Sequence, residues 1–371
     1  MLNWTAATAI SFLFAANLFG QTPAPASAPT AKSSASVAKS PAPSPSATPG
    51  TEQLINSLGE GDLQAAIALL KSNFTNPEEI TDAELNRATL AGLLVRMPGG
   101  LMLLPGHDTA AAEPATPFYS EVFEDHIGYL RLGPLNSANL KEMDKNLQEF
   151  VAKKVDALIV DLRASSAGDF AAAAEFAKRF CPKGKALFTV RKPAARQNQP
   201  FNSDRDPAFQ GFVVALTDGD TAGGAEALAA VLKLYDKALI IGQPSAGRAV
   251  EYSDLPLPSG KILRVASAEA VLADGQSLFP GGVKPDLPVE MPIADQRQIF
   301  RLTGEKGMKP FVYETERPHL NEAALIAGTN PELDIPDAQR RNRGREKQPA
   351  RDSVLQRALD VVTSLEIYQK R

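Results

Sequence analysis

The sequence predicts an α/β core, and three observations carry that prediction. Between residues 127 and 243, short apolar runs alternate with helical patterns. The runs VDALIVDLR (155–163), FVVALTD (212–218) and ALIIGQ (238–243) are continuously apolar, as expected of strands covered on both faces. The segments after the first two are rich in Gly, Ala and Ser and open into helices, as in parallel sheets whose chemistry sits at the carboxyl ends of the strands.

The elements follow in order. Residues 1–20, MLNWTAATAISFLFAANLFG, form an uncharged apolar opening with its compact centre from Ala9 to Phe19. They read as a secretory signal cleaved near Gly20, or as an uncleaved N-terminal anchor; either places the chain in the periplasm or cell envelope. Residues 21–50 are almost wholly Pro, Ala, Ser and Thr, with no apolar side chain larger than Val37. Such a segment cannot repay its ordering entropy and reads as a disordered linker. From 51 to 106 the pattern is that of a helical subdomain: Leu63, Ile67 and Leu70 recur at helical spacing, and Thr81 to Glu84 is a capping box before Leu85, Leu90, Leu93 and Leu94.

The core spans 118–291. IGYLRL (127–132) reads as a strand, 138–152 as an amphipathic helix, 155–163 as a strand, 169–180 as an Ala-rich helix and 186–191 as a strand. A strand at 212–218, a helix at 221–235 and a strand at 238–243 complete a mainly parallel sheet. After 248 come shorter β segments, with a hairpin turn at Pro258-Ser259-Gly260 and a bend at Gly281-Gly282. An extension (292–328) leads to an irregular stretch, 329–351, with basic side chains at 340, 341, 343, 345, 347 and 351. That tract either meets an anionic envelope surface or is a solvated linker. A final helix from Asp352 to about Tyr368 carries Leu355, Ala358, Leu359, Val362 and Leu365 on one stripe, with Asp352 as its N-cap.

Composition narrows the function classes. Of 371 residues, 39 are Lys or Arg and 43 Asp or Glu, a balance that argues against nucleic acid as the main partner. Cys181 is the single cysteine, and the three histidines, His107, His126 and His319, are scattered. The sequence therefore points to no metal site and no organic cofactor.

Four ordered segments carry a resemblance: DLRASSAG (161–168), GDTAGGAE (219–226), GQPSAGRA (242–249) and GVKPD (282–286). With IGYLRL ahead of them, they resemble the C-terminal processing (tail-specific) serine peptidases, whose corresponding segments read DLRGNPGG, GSASASE, GExTFGKG and GVxPD. The resemblance covers about 120–291. It implies a crotonase-like β-superhelix core and a serine-type peptidase acting on protein or peptide segments. In that family a serine nucleophile is paired with a lysine general base 25 residues further on, and a neutral lysine in a desolvating pocket can take the serine proton without histidine.

Aligning on Glu226 places the nucleophile at Gly223 and the base at Arg248, with the interval kept. Glycine has no nucleophile, and a guanidinium with a pKa above about 12 is no base near neutrality. The resemblance gives the N–H groups of Gly168 and Gly224 as oxyanion donors, but Ala164, Ser165, Ser166 and Ala167 replace the family's Gly, Asn, Pro and Gly. Between Pro105 and the first core strand there is no room for the family's PDZ domain. The expectation is thus a peptidase-like protein without hydrolysis, binding peptide in the former active-site cleft. Arg248, Thr221 and Ser245 are the candidate ligand-binding residues, and Arg248 is suited to a carboxylate. The rival readings are an active peptidase using Thr221 or Ser245 as a rearranged nucleophile, and a structural envelope scaffold. Against the nucleophile reading, Thr221 is expected to cap the following helix, and Ser245 and the serines at 165 and 166 to bond local backbone.

Overall fold

The computed structural model describes residues 51–106, 115–166, 169–312 and 350–369. The expected signal, the Pro/Ala/Ser linker, and the basic tract up to 349 lie outside those residues. The chain divides into two compact units, one ending at Pro77 and the other beginning at Glu78.

The described part of the first unit holds two helices, α1 (Thr51–Ser57) and α2 (Glu60–Asn73), with no buried residue in α2. In the second unit, α3 (Asp82–Arg96) starts on Thr81, whose hydroxyl accepts the Glu84 N–H at 3.1 Å. The helical stretch expected over 51–106 is therefore shared between the two units, and it closes with a strand, β1 (Leu101–Leu104).

A six-stranded sheet is built from β2 (Tyr119–Phe123), β3 (Ile127–Arg131), β4 (Ala157–Asp161), β7 (Phe212–Thr217), β8 (Leu239–Gly242) and β11 (Leu287–Pro288). Its order is β11-β8-β7-β4-β3-β2, parallel throughout except for the antiparallel edge strand β2. Helices α4 (Ser137–Ala152), α5 (Phe170–Ala177) and α6 (Gly223–Leu234) connect the parallel strands. The continuous apolar runs have the reason the sequence suggested. In β4 and just beyond it, Leu158, Val160 and Leu162 enter the core that also holds Met143, Phe176 and Leu228, while Ala157 and Ile159 enter another. That other core is closed by α7 (Ile293–Lys306) and α8 (Ser353–Gln369), through Ile299, Phe300, Leu355, Ala358, Leu359 and Val362.

The single, mainly parallel sheet needs correction. The strand at 186–191, β5 (Ala186–Lys192), joins an antiparallel sheet with β6 (Gln197–Asn202), β9 (Val250–Pro256), β10 (Ile262–Leu272) and β1. β10 pairs with β9 along one edge and with β1 and β5 along the other. The turn at Pro258-Ser259-Gly260 joins β9 to β10, with the Leu257 N–H donating to the Lys261 carbonyl at 2.8 Å. β6, whose QNQPFN sequence is largely exposed, carries no apolar alternation that could have announced it. Among the described residues no helix is long and apolar enough to cross a membrane.

Candidate functional site: a peptidase-like cleft

Three loops meet at the carboxyl ends of β4, β7 and β8, and hydrogen bonds between their backbones sew them together. The Ala222 N–H donates to the Ser165 carbonyl at 3.0 Å, and the Ala246 N–H to the Thr221 carbonyl at 2.9 Å. The Gly223 N–H donates to the Arg248 carbonyl at 3.1 Å, so the two positions singled out by the 25-residue interval are direct neighbours.

Buried acids hold the loops from behind. Asp218, at the end of β7, accepts the Ala164 N–H at 2.9 Å and the Gln296 amide at 2.6 Å on one oxygen. Its other oxygen accepts the Asp220 N–H at 3.0 Å and faces the Thr221 hydroxyl at 2.9 Å. One carboxylate thus ties the 164–166 loop, the 218–222 turn and α7.

Glu226, fully buried in the first turn of α6, does the same for the 245–248 loop. Its Oε1 accepts the Ser245 hydroxyl and the Gly247 N–H, the latter at 2.6 Å, and its Oε2 accepts the Arg248 N–H at 2.7 Å. Burial pushes this carboxyl above the usual glutamate range; the three donors and the Arg248 charge pull it back only in part.

The third tie lies under β4. Arg163 forms paired bonds with Asp161 (2.9 and 2.6 Å) and with Asp352 (both 2.8 Å), all three side chains being buried. Burial works against the guanidinium charge, but the two carboxylates outweigh it and hold the Arg163 pKa above the ordinary value. Tyr129 donates to Asp161 at 2.7 Å, and burial, aided by that negative neighbour, pushes its phenol well up. Asp352 also accepts the Leu355 N–H at 2.9 Å, the N-cap bond expected for α8. Arg163 is the residue before Ala164, so α8 is pinned to the base of the 164–166 loop.

The candidate residues themselves are placed as follows. Gly223 is the first residue of α6, with φ at +58°. A Cβ there would meet nothing nearer than the Ser166 carbonyl at 3.7 Å. Gly247, by contrast, must be glycine: at φ +63°, a Cβ would come within 2.0 Å of the Pro280 carbonyl. Gly224 is buried as the second residue of α6, and Gly168 lies outside the described residues.

Arg248 is half-buried with its stem against Gly99, where an added Cβ would lie 3.1 Å from its Cγ. Its guanidinium has no hydrogen bond or ion pair with a described residue, although its charge is felt by Glu226 and Tyr252.

Thr221 does not cap α6, as the sequence suggested. The capping position is Ala222, because the helix starts one residue later, and the Thr221 hydroxyl turns inward. There it accepts the Asp218 N–H at 3.0 Å and lies 3.0 Å from the Leu162 carbonyl, fully buried. Ser245 donates to Glu226 and accepts the Val283 N–H at 2.7 Å. Among the described residues, no lysine or histidine bonds either hydroxyl. Ser165 bonds the Gly133 carbonyl at 2.8 Å, and α5 is capped instead by Asp169. Among the described residues no cluster of His, Cys, Asp or Glu is placed to hold a metal ion.

Two acids of this site went unrecognised in the sequence. In the sequence Glu226 is only an alignment point, and Asp218 only the last residue of the strand at 212–218. A charge inside the otherwise apolar run AEALAAVL was the available signal for the first. An acid closing a buried strand three residues ahead of a threonine was the signal for the second.

Comparison with known proteins identifies the frame. Residues 126–289 match peptidase family S41. Over those residues the chain is similar to that family. It is 25% identical over 249 residues to the carboxy-terminal processing protease CtpA of Bacillus subtilis, covering 67% of this chain and 50% of that protein. It is 26% identical over 174 residues to the chloroplastic carboxyl-terminal-processing peptidase 2 of Arabidopsis thaliana, covering 47% of this chain and 34% of the relative. Among solved structures, the photosystem II D1 C-terminal processing protease aligns with a TM-score of 0.41 and 22% identity, over 56% of this chain and 52% of that one. The chain thus spans half or less of the length of these curated relatives. The three sewn loops lie within residues 126–289 and are the segments that carry the motif resemblance.

Proposed function

We propose that this chain is an exported member of the tail-specific protease family that does not hydrolyse its ligand, and that it binds peptide or protein segments in the cleft bounded by residues 164–166, 218–224 and 243–249. A crotonase-like superhelix for the core belongs to the same reading. One observation supports it: Gly223 and Arg248, which the motif resemblance sets at the positions of the nucleophile and base, are joined backbone to backbone, while neither has a group for the reaction. Hydrolysis by another hydroxyl is not favoured, because Thr221 and Ser245 are buried and engaged in bonds that hold the loops, and among the described residues neither faces a lysine or histidine. What the cleft does offer is the Arg248 guanidinium, which has no hydrogen bond or ion pair with a described residue and belongs to a class of group that binds carboxylates by charge-assisted hydrogen bonds.

The test is cleavage of an unfolded protein with an apolar C-terminal tail, by the natural chain and by the Gly223→Ser/Arg248→Lys double variant. The expected result is silence from the natural chain and activity from the variant. Turnover by the natural chain, abolished by Thr221→Ala or Ser245→Ala, would overturn the reading. Binding is measured on peptides with free and amidated C-termini; equal affinity would remove the carboxylate from the proposal.

A further inference from the structure

The turn Met97-Pro98-Gly99-Gly100, between α3 and β1, lies against Arg248 and Phe279. At Gly99, where φ is +75°, an added Cβ would lie 3.1 Å from Cγ and 3.4 Å from Cδ of Arg248. At Gly100 it would lie 3.0 Å from Cζ of Phe279. Two glycines in succession thus leave room for the arginine stem and the aromatic ring. The turn is closed by its own backbone, since the Gly100 and Leu101 N–H groups donate to the Met97 carbonyl at 3.0 and 3.3 Å. Two further bonds fix where it lies. The Ala266 N–H donates to the Gly100 carbonyl at 2.8 Å, and the Tyr252 hydroxyl donates to the Gly99 carbonyl at 2.8 Å. Burial raises the Tyr252 phenol pKa, and the nearby Arg248 charge opposes that rise. All these residues belong to the larger unit.

We propose that Tyr252 is a positioning residue for Arg248: by holding the Gly99 carbonyl it keeps the turn against the arginine stem, so that the guanidinium meets a ligand carboxylate already ordered. The inference rests on the carboxylate reading of the cleft. A long side chain ordered before binding loses no rotamer freedom when the ligand arrives, and the difference appears as affinity. The contacts divide accordingly. They fall on the stem, at Cγ and Cδ, while the guanidinium has no hydrogen bond or ion pair with a described residue. Because the turn closes on Met97 without the Tyr252 hydroxyl, that hydroxyl is spare to the chain reversal and specific to where Gly99 lies.

The test is a double-variant cycle of Tyr252→Phe with Arg248→Met in the full chain, read as binding of peptides with free and amidated C-termini. Alone, Tyr252→Phe should weaken the free-carboxylate peptide by about three- to tenfold and leave the amidated peptide unchanged. In the Arg248→Met background it should do nothing further. An equal loss on both peptides, or the same loss in both backgrounds, would overturn the proposal, since a purely structural tyrosine gives that result. A second measurement needs no peptide: the rate at which phenylglyoxal modifies Arg248, followed by mass spectrometry of the digested protein, with the exposed Arg196 as reference. Tyr252→Phe should raise the Arg248 rate several-fold as the stem is freed. An unchanged rate would overturn the positioning role even where Arg248→Met abolishes the preference for a free carboxylate. If Arg248→Met affects neither peptide, the carboxylate reading falls and the proposal falls with it, whatever the modification rate.

Discussion

Asp161, Arg163, Asp218, Glu226 and Asp352 hold the three sewn loops from behind, and Gly223 and Arg248 lie in those loops; the fold holds the two sets very differently. Every member of the first set is buried, and each takes part in at least two hydrogen bonds to other segments or to one another. In the second set, Gly223 has open space where a side chain would stand, and the Arg248 guanidinium has no described partner. Breaking a buried, paired charge leaves its partner stranded in a medium of low dielectric, whereas changing a half-exposed side chain does not. The side chains at these two loop positions can therefore change while the support stands, because the support contributes stability and they do not.

The largest test of that contrast is Asp352→Ala. It removes one of the two carboxylates on Arg163 and the N-cap of α8 together. A cost of about 4 kcal/mol is expected in urea unfolding. Asp352→Asn keeps a capping oxygen and should cost less. A value for Asp352→Ala within about 1 kcal/mol of the natural chain would show that the buried triad is not what secures the 164–166 loop.

Glu226→Gln comes next. Each glutamate oxygen accepts a backbone N–H, so in either orientation the new NH2 group faces the N–H of Gly247 or of Arg248, which cannot receive it. About 2 kcal/mol is expected, read from the same unfolding curves. The pH dependence sharpens it. The folded-state pKa lies above the ordinary value of 4.5, so between these two values the folded state holds the proton more tightly than the unfolded chain. Stability from this group is present below 4.5 and is lost as pH rises through the raised value. The glutamine variant should lack that fall; an identical slope in both proteins would contradict the assigned burial.

A smaller effect belongs to Gly223→Ala. The side chain has room, so the cost is only that of a left-handed backbone, about 1 kcal/mol. Gly247→Ala has the same sign of φ and a carbonyl in the way, and should cost several times more by the same measurement.

The parallel strands, their helices and the α8 cap were legible because each follows from local pattern: continuous apolar runs, helical spacing, an Asp ahead of a stripe. β5 was read as a strand but given to the wrong sheet, since sheet membership is decided by partners far away in sequence, here Phe188 to Arg191 against Glu269 to Leu272. The site divides along the same line. The Gly223–Arg248 pairing could be anticipated from a fixed interval, and the contact between them is a backbone bond that side-chain identity does not alter. The partnership of Arg163 with Asp352 spans 189 residues and has no local signal.

Arg248→Met makes the weakest demand on stability and the sharpest on function. Methionine keeps the unbranched stem that lies against Gly99 and removes the charge. No hydrogen bond or ion pair of the guanidinium with a described residue is lost, and the backbone N–H to Glu226 stays in place. Stability should move by no more than about 0.5 kcal/mol. Affinity for a peptide with a free C-terminal carboxylate should fall by roughly tenfold or more, the worth of one charged hydrogen-bond pair, while an amidated peptide binds as before. The two readings are separable in one titration series. Equal losses for both peptides would mean that the stem and not the charge matters. No loss for either would leave the cleft frame intact but remove Arg248 from ligand recognition, and the support behind it would then be structural only.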